Sequence, residues 1–139
     1  MKSFRSDTKT KATPAQAWKV WTDLPNWNKH DPTIESIILD RFENGAHAKL
    51  KNKKGPGATL IIDDVVPGKS FTIRTNLPLC TMLSYHEVIP TEDGGARFVF
   101  RTEFRGPLGG FFYAMFGKDI AKESEPNMKR LVALAESAY

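Results

Sequence analysis

Cysteine is almost missing from this chain: there is one, Cys80, in 139 residues. A lone cysteine excludes an internal disulfide framework and any zinc site built on paired cysteines, and it fits a reducing compartment. Histidine is scarce too. His30, His47 and His86 are the only three, lie on different stretches and show no ligand-like spacing such as H-E-x-x-H, so no metal set is visible. No apolar run approaches the ~20 residues of a spanning helix. The opening stretch MKSFRSDTKT lacks a hydrophobic signal core. The expectation is therefore a cytoplasmic protein with no integral membrane segment. A nucleophile elbow and a phosphate loop are also missing: residues 106–110 are glycine-rich and precede a helix, but lack the P-loop lysine. The chain contains no internal repeat, linker or low-complexity tract.

What is present is ordinary globular composition, 40% apolar and 26% charged residues, in a chain long enough to bury one core unaided by metals or disulfides. We expect a single domain over residues 1–139. The net charge is +4 and the sequence pI about 9.2, which raises the question of nucleic acid. The basic residues are spread out, however, and the one cluster, residues 49–54, has no interleaved aromatics on which bases could stack. It reads as a solvated hairpin tip, and no nucleic-acid partner is expected.

Residues 106–139 organise the rest. Pro107 suits a helix start, and the thirty or so residues behind it show no strand-like alternation. A helix of that length spans roughly 45 Å at ~1.5 Å per residue. At 100° per residue Tyr113, Phe116, Ile120, Ser124, Asn127, Leu131, Leu134 and Ala138 share one sector, with Lys118, Lys122, Glu125, Lys129 and Glu136 opposite. The C-terminal half of that sector is aliphatic packing. The N-terminal half mixes aromatics and glycines and reads as a lid. Pro126 lacks an N–H and should disturb the helix, and Phe111 and Met115 fall toward its polar side.

In chain order, residues 2–10 alternate as a first strand. Thr13-Pro14 gives an N-cap followed by proline at the first helical position, and Ala17, Trp18, Val20, Trp21 and Leu24 make a short one-sided helix that Pro25 ends. A turn or second short helix carries Trp27, and Asp31-Pro32 closes it. From there the period is two: strands are expected at 33–40, 46–51, 58–66, 70–76, 79–89 and 96–105, with turns at 43–45, 53–57, 67–68 and 92–95. The last strand alternates most clearly, with Phe98, Phe100, Thr102 and Phe104 one way and Arg97, Val99, Arg101, Glu103 and Arg105 the other. Connections this short make the strands antiparallel. One sheet with a wet face, wrapped about a long helix, follows.

Three segments, in this order, resemble the START/Bet v 1-like superfamily (SRPBCC, or polyketide cyclase/dehydrase-like proteins). They are the passage from Ala17 to Trp27, AWKVWTDLPNW, similar to the family's V-W-x-x-x-x-D-x-x-x-W; Tyr85-His86-Glu87-Val88-Ile89-Pro90 followed by Gly94-Gly95-Ala96-Arg97; and Phe104-Arg105-Gly106-Pro107-Leu108 opening the long helix. His30 departs from the pattern, standing where relatives often carry an aromatic. The resemblance implies an α+β helix-grip fold: a curved seven-stranded antiparallel sheet around a long C-terminal helix, two short helices between strands one and two, and a cavity for lipids or other lipophilic molecules. It brings no universal catalytic triad.

If Glu87 faces water, Met82, Ser84, His86 and Val88 face the cavity beside Phe98, Phe100, Thr102 and Phe104. His86 can exchange protons near neutrality or be a structural histidine satisfied by Ser84, Thr102 or a buried water. Tyr113 could donate to a ligand carbonyl or to backbone. Phe112 and Phe116 read as walls. Asp63 and Asp64 are adjacent, so a strand sends them to opposite faces, and they form no dyad. His30-Asp31 reads as a capped turn or part of a gate. The candidate ligand-binding set is Trp27, Met82, Ser84, His86, Phe98, Phe100, Thr102, Tyr113, Phe116 and Ile120, with His86 and Tyr113 the catalytic candidates. No metal or cofactor is expected, and the partner is a small hydrophobic ligand, bound by a monomer or homodimer. The alternatives are a cyclase or dehydratase using the same cavity and a module whose Phe111/Met115 face docks a protein or membrane surface.

Overall fold

The alternation that ends at Arg105 becomes the central ladder of the fold. In the computed structural model, which describes residues 2–137, β7 (Ala96–Arg105) lies between β1 (Lys2–Thr10) and β6 (Cys80–Pro90), antiparallel to both. Beyond β6 follow β5 (Ser70–Leu77), β4 (Ala58–Val66), β3 (His47–Asn52) and β2 (Ile34–Ile38), giving an open sheet in the order β1-β7-β6-β5-β4-β3-β2. Consecutive strands β1 and β2 occupy opposite edges. The chain crosses between them through α1 (Pro14–Trp21) and a 3₁₀ turn (Leu24–Lys29). Thr13 caps α1 reciprocally: its Oγ1 accepts from Gln16 N at 3.2 Å, and its own N–H donates to Gln16 Oε1 at 2.8 Å. With a helical rod over Gly109–Ser137 packed on the same face, this is the helix-grip fold.

The rod differs from its simple expectation in three ways. Pro107 lies in a turn, and the helix begins two residues later, because Gly106, at φ 109°, is pressed against the β5–β6 hairpin. A Cβ at Gly106 would stand 2.7 Å from the Leu79 carbonyl oxygen, the same oxygen that accepts from Leu108 N–H at 3.0 Å. Second, α3 (Lys118–Ser137) runs through Pro126 unbroken. The irregularity is a π-helical turn, Tyr113–Gly117, between α2 (Gly109–Phe112) and α3. Third, the buried residues of α3 are Met128, Leu131 and Ala135, one position beyond the Asn127 and Leu134 of the wheel; the latter two are half-buried. A π turn holds an extra residue, which moves the phase of everything after it. The expected positions Ala138 and Tyr139 lie outside the described residues.

Within the sheet, two local departures bend the alternation. A bulge in β4 sets Asp64 at φ 51° and exposed, while Asp63 pairs with Arg74 at 3.2 Å on the outer face. Leu79, expected to open the sixth strand, instead sits left-handed at the hairpin tip (φ 54°) and is exposed. On the outer face of β7, Glu103 is buried although it points away from the rod. Arg101 and Arg105 pair with its two oxygens, Arg105 at 2.8 Å. The Arg101 guanidinium also lies 4.1 Å over the Tyr85 ring, so long cationic stems cover a carboxylate that plain alternation places in water. Among the described residues no helix is long and apolar enough to cross a membrane.

Candidate functional site

Three apolar clusters fill the space between sheet and helices. One joins α1 and α3 to β6 and β7 through Val20, Trp21, Val88, Phe98, Met128 and Leu131. A second lies under the 3₁₀ turn among β2–β5, around Leu24, Ile37, Ile62, Phe71 and Ile73. The third sits under the start of the rod, where Cys80, Phe104 and Phe112 are joined by Met82, Leu108, Tyr113, Phe116 and Ile120. Where the first and third meet, packing leaves a half-open cleft of about 120 Å³, walled by Trp21, Trp27, His30, Asp31, His86 and Phe100 and roofed by Ile120, Ser124, Asn127, Met128 and Leu131. A larger hollow of about 380 Å³ between β2 and β3 is lined by Leu39, Asp40, Arg41, Glu43, Ala46 and His47. It is shallow and polar, and cannot enclose an apolar molecule.

The cleft is an aromatic box around one histidine. His86 enters from β6, cross-strand from Phe71 on β5 and Phe100 on β7. Its imidazole stacks on Phe71 (centroids 4.4 Å, planes 3° apart) and meets Trp21 edge-on at 4.9 Å, Phe100 at 5.2 Å and Trp27 at 5.6 Å. Trp21 is placed by the capped α1. Trp27 is fixed by its own indole N–H, which donates to the Trp21 carbonyl at 2.9 Å. With that one polar atom satisfied, its ring stands between His86 and His30, 5.9 Å from the latter. Asp31 closes the turn: its Oδ1 accepts from Thr33 N at 3.0 Å and from Thr33 Oγ1 at 2.7 Å.

Burial decides the protonation of both imidazoles. His86 is 3% exposed and has no carboxylate bonded to it; desolvation lowers its pKa to about 3. His30 is 6% exposed, and desolvation lowers it to about 4, with the Asp31 carboxylate opposing and Arg130 adding to the shift. Both rings are neutral at pH 7. Among the described residues the covered Nδ1 of each has no hydrogen-bond partner, and neither has the Thr75 hydroxyl. The wall is therefore apolar, with neutral polar points rather than charges, apart from Asp31 at its margin.

Of the residues expected to bind ligand, Trp27, His86, Phe100 and Ile120 meet at this cleft. The others lie elsewhere. Ser84 and Thr102 are buried and face each other, their hydroxyls 3.3 Å apart. Phe98 is fully buried in the core against Trp21. Met82, Tyr113 and Phe116 pack with Phe104 in the third cluster, so the first part of the rod closes on the sheet where an open lid was expected. Trp21, His30, Asp31, Ser124, Asn127, Met128 and Leu131 were not in the expected set. The Ala17–Trp27 passage carried a signal for Trp21, and His30-Asp31 was read as a capped turn or part of a gate, with His30 also the residue that departs from an aromatic.

Against known proteins, residues 1–136 match the family described as Polyketide cyclase / dehydrase and lipid transport. No curated protein sequence matches the chain. Among solved structures the fold is similar to Ara h 8.0201, with a TM-score of 0.75, 15% identity and 98% of each chain covered. It is also similar to the di-domain ARO/CYC StfQ from the steffimycin biosynthetic pathway, at TM-score 0.77 and 14% identity, where 98% of this chain covers 51% of that one. A third likeness is norcoclaurine synthase from Thalictrum flavum in complex with dopamine and hydroxybenzaldehyde (TM-score 0.73, 14% identity, 99% and 88% covered). At such identities the likeness carries the fold alone.

Proposed function

The chain belongs to the polyketide cyclase / dehydrase and lipid transport family, and from that premise we propose that it binds a small, mostly apolar molecule in the cleft around His86. The observation that carries this reading is the cleft itself: a hollow of about 120 Å³ lined by Trp21, Trp27, Phe100, Ile120 and Leu131. Apolar hollows of that order are large enough for one ring, and burial of the ligand's apolar surface supplies the affinity, at roughly 25 cal/mol per Å² before ordering costs. A long acyl chain would have to displace the Phe104–Tyr113–Phe116 packing. The reading is therefore a ring-sized ligand, or the ring-sized end of a longer one.

The cyclase alternative asks His86 to move a proton. General acid–base work is most efficient when the pKa lies near the working pH, and burial holds His86 near 3. With Tyr113 packed on Phe104 in a different cluster, the two catalytic candidates do not converge on one substrate position. Binding is the better-supported reading. Native mass spectrometry of the purified protein tests it: a co-purifying small molecule is expected, and Ile120→Trp, which fills the roof of the cleft, should remove it. A ligand retained at full occupancy by Ile120→Trp would place it outside this cleft and overturn the reading.

A further inference from the structure

Two imidazoles in the cleft have hydrogen-bonding capacity left unused among the described residues. Nδ1 of His86 and Nδ1 of His30 are covered and unpartnered. Among the described residues the Nε2 atoms make no hydrogen bond either, yet they are not sealed from the hollow that both rings line. A neutral imidazole carries one N–H and one lone pair. The backbone carbonyls of Phe71, cross-strand from His86, and of Ser84, two residues before it, act on the imidazole, and Nδ1 is the ring nitrogen nearer the backbone. A carbonyl oxygen tolerates a neighbouring N–H and repels a lone pair, so the covered nitrogen keeps the proton and the cleft-facing nitrogen is left as an acceptor. The Nε2 lone pair has no donor among the described residues, and a ligand O–H or N–H placed in the cleft would supply one.

Charge narrows the ligand further. The lining contains no lysine or arginine and one carboxylate, Asp31. An anion would meet the Asp31 carboxylate in the lining itself, whereas Arg130 acts on His30 from outside the lining. A cation would be drawn to Asp31 but would have to be desolvated among walls whose burial already keeps both imidazoles neutral. We infer that the cleft selects a neutral single-ring molecule bearing a hydroxyl or ring N–H, the phenol class, whose donor meets the Nε2 lone pair of His86. This inference rests on the proposed binding reading and names the ligand chemistry within it.

Trp21 and Trp27 line the cleft, so tryptophan fluorescence and calorimetry can follow titration with phenol, toluene, benzoate and benzylamine at pH 7.5. Phenol is expected to bind about tenfold more tightly than toluene, the ratio worth one net hydrogen bond, and benzoate and benzylamine more weakly than either. His86→Phe keeps a ring on Phe71 and should bring phenol and toluene to parity. Imidazole ¹⁵N shifts of the unaltered protein give a readout that needs no variant: a proton on Nδ1 of His86, and a phenol-dependent shift at Nε2. Equal binding of phenol and toluene, a proton found on Nε2, or tighter binding of benzoate or benzylamine each overturns the inference while leaving the cleft as a binding site. Failure of all four probes to bind overturns the cleft reading as well.

Discussion

The two ends of the space between rod and sheet are built from similar residues and reach opposite results. Under the start of the rod, Phe104, Phe112, Tyr113, Phe116 and Met82 close the gap. Under its middle, Trp21, Trp27, Phe100 and His86 leave a hollow. Aromatic content does not decide between filling and hollow; backbone approach does. At the closed end Gly117 faces Tyr113 and Phe104, and a Cβ there would stand 2.6 Å from Tyr113 Cδ2 and 3.0 Å from Phe104 Cε1, so the rod comes down until the rings touch. At the open end no glycine lies on the rod between Lys118 and Ser137. There the rings brace one another, with Trp21 edge-on to Phe71, His86 and Phe98 at 6.1, 4.9 and 5.0 Å. A braced box cannot collapse into its own centre.

The contrast is tested most severely by emptying the closed end. Phe104 is fully buried, and Phe104→Ala should cost about 3–5 kcal/mol in urea unfolding, the usual range for a buried aromatic replaced by alanine. The same variant should enlarge the ligand space toward Tyr113 and admit longer apolar probes. A loss under about 1 kcal/mol would mean that the closed end is loosely packed and that the contrast fails.

Acid should act on the open end. The folded-state pKa values of His86 and His30, about 3 and about 4, lie below the ordinary 6.5, so the unfolded chain binds more protons between those limits. Stability from both groups is fully present above pH 6.5 and falls as the pH drops toward 4, by up to about 1.4 kcal/mol per pH unit for each ring. Denaturant midpoints at pH 7.5, 6.5, 5.5 and 4.5 measure the slope. His86→Phe and His30→Phe should each flatten part of it, whereas Phe104→Ala should leave it unchanged. A slope the histidine variants do not alter would assign the acid sensitivity to other groups.

How far this contrast was legible in the sequence follows from which signals are local. Strand periodicity and turn chemistry placed the seven strands to within a few residues, with 58–66 and 96–105 at their observed bounds, because alternation and tight turns are written in neighbouring residues. The Thr13-Pro14 start of α1 is local in the same way. Side-chain direction on the rod was legible in part: Ile120, Ser124, Asn127 and Leu131, all in the sector read from the wheel, line the cleft, but a π turn leaves no residue signature that a wheel can register. A one-residue phase error there moves Met128 and Ala135 into the core ahead of Asn127 and Leu134. The hollow was anticipated between sheet and helix, but its position depends on how closely Gly117 lets the rod approach Phe104, a distance only tertiary structure sets. His30 entered the wall because the 3₁₀ turn folds it back beside Trp27, a contact that depends on the geometry of the turn.

A smaller effect is expected from Gly117→Ala. Alanine in place of a helical glycine contributes about 0.5–1 kcal/mol through backbone entropy, but the new methyl group must push Tyr113 and Phe104 apart. Overpacking of that kind costs about 1–3 kcal/mol, so a net loss of roughly 1–2 kcal/mol is expected. The rod should also lift at the closed end, and phenol affinity at the open end should change little, because Tyr113 and Phe104 do not line the cleft. A net gain in stability would show that Tyr113 swings aside freely and that Gly117 does not hold the two ends apart.

The least effect should come from the outer surface of the closed end. Phe111 and Met115 are 54% and 48% exposed, and Phe111 touches Phe112 edge-on at 5.2 Å without entering the cluster beneath. Because half its surface already faces water, Phe111→Ser removes little burial, and a change of about 1 kcal/mol or less is expected. Phenol affinity should be unchanged, since Phe111 lines no part of the cleft. Equilibrium sedimentation of the variant beside the unaltered protein distinguishes wall from contact. The same mass for both is expected if Phe111 is simply the outside of a tightly closed end. A dimer dissociated by Phe111→Ser would show instead that this end is closed on both faces, by the sheet within and by a second copy without.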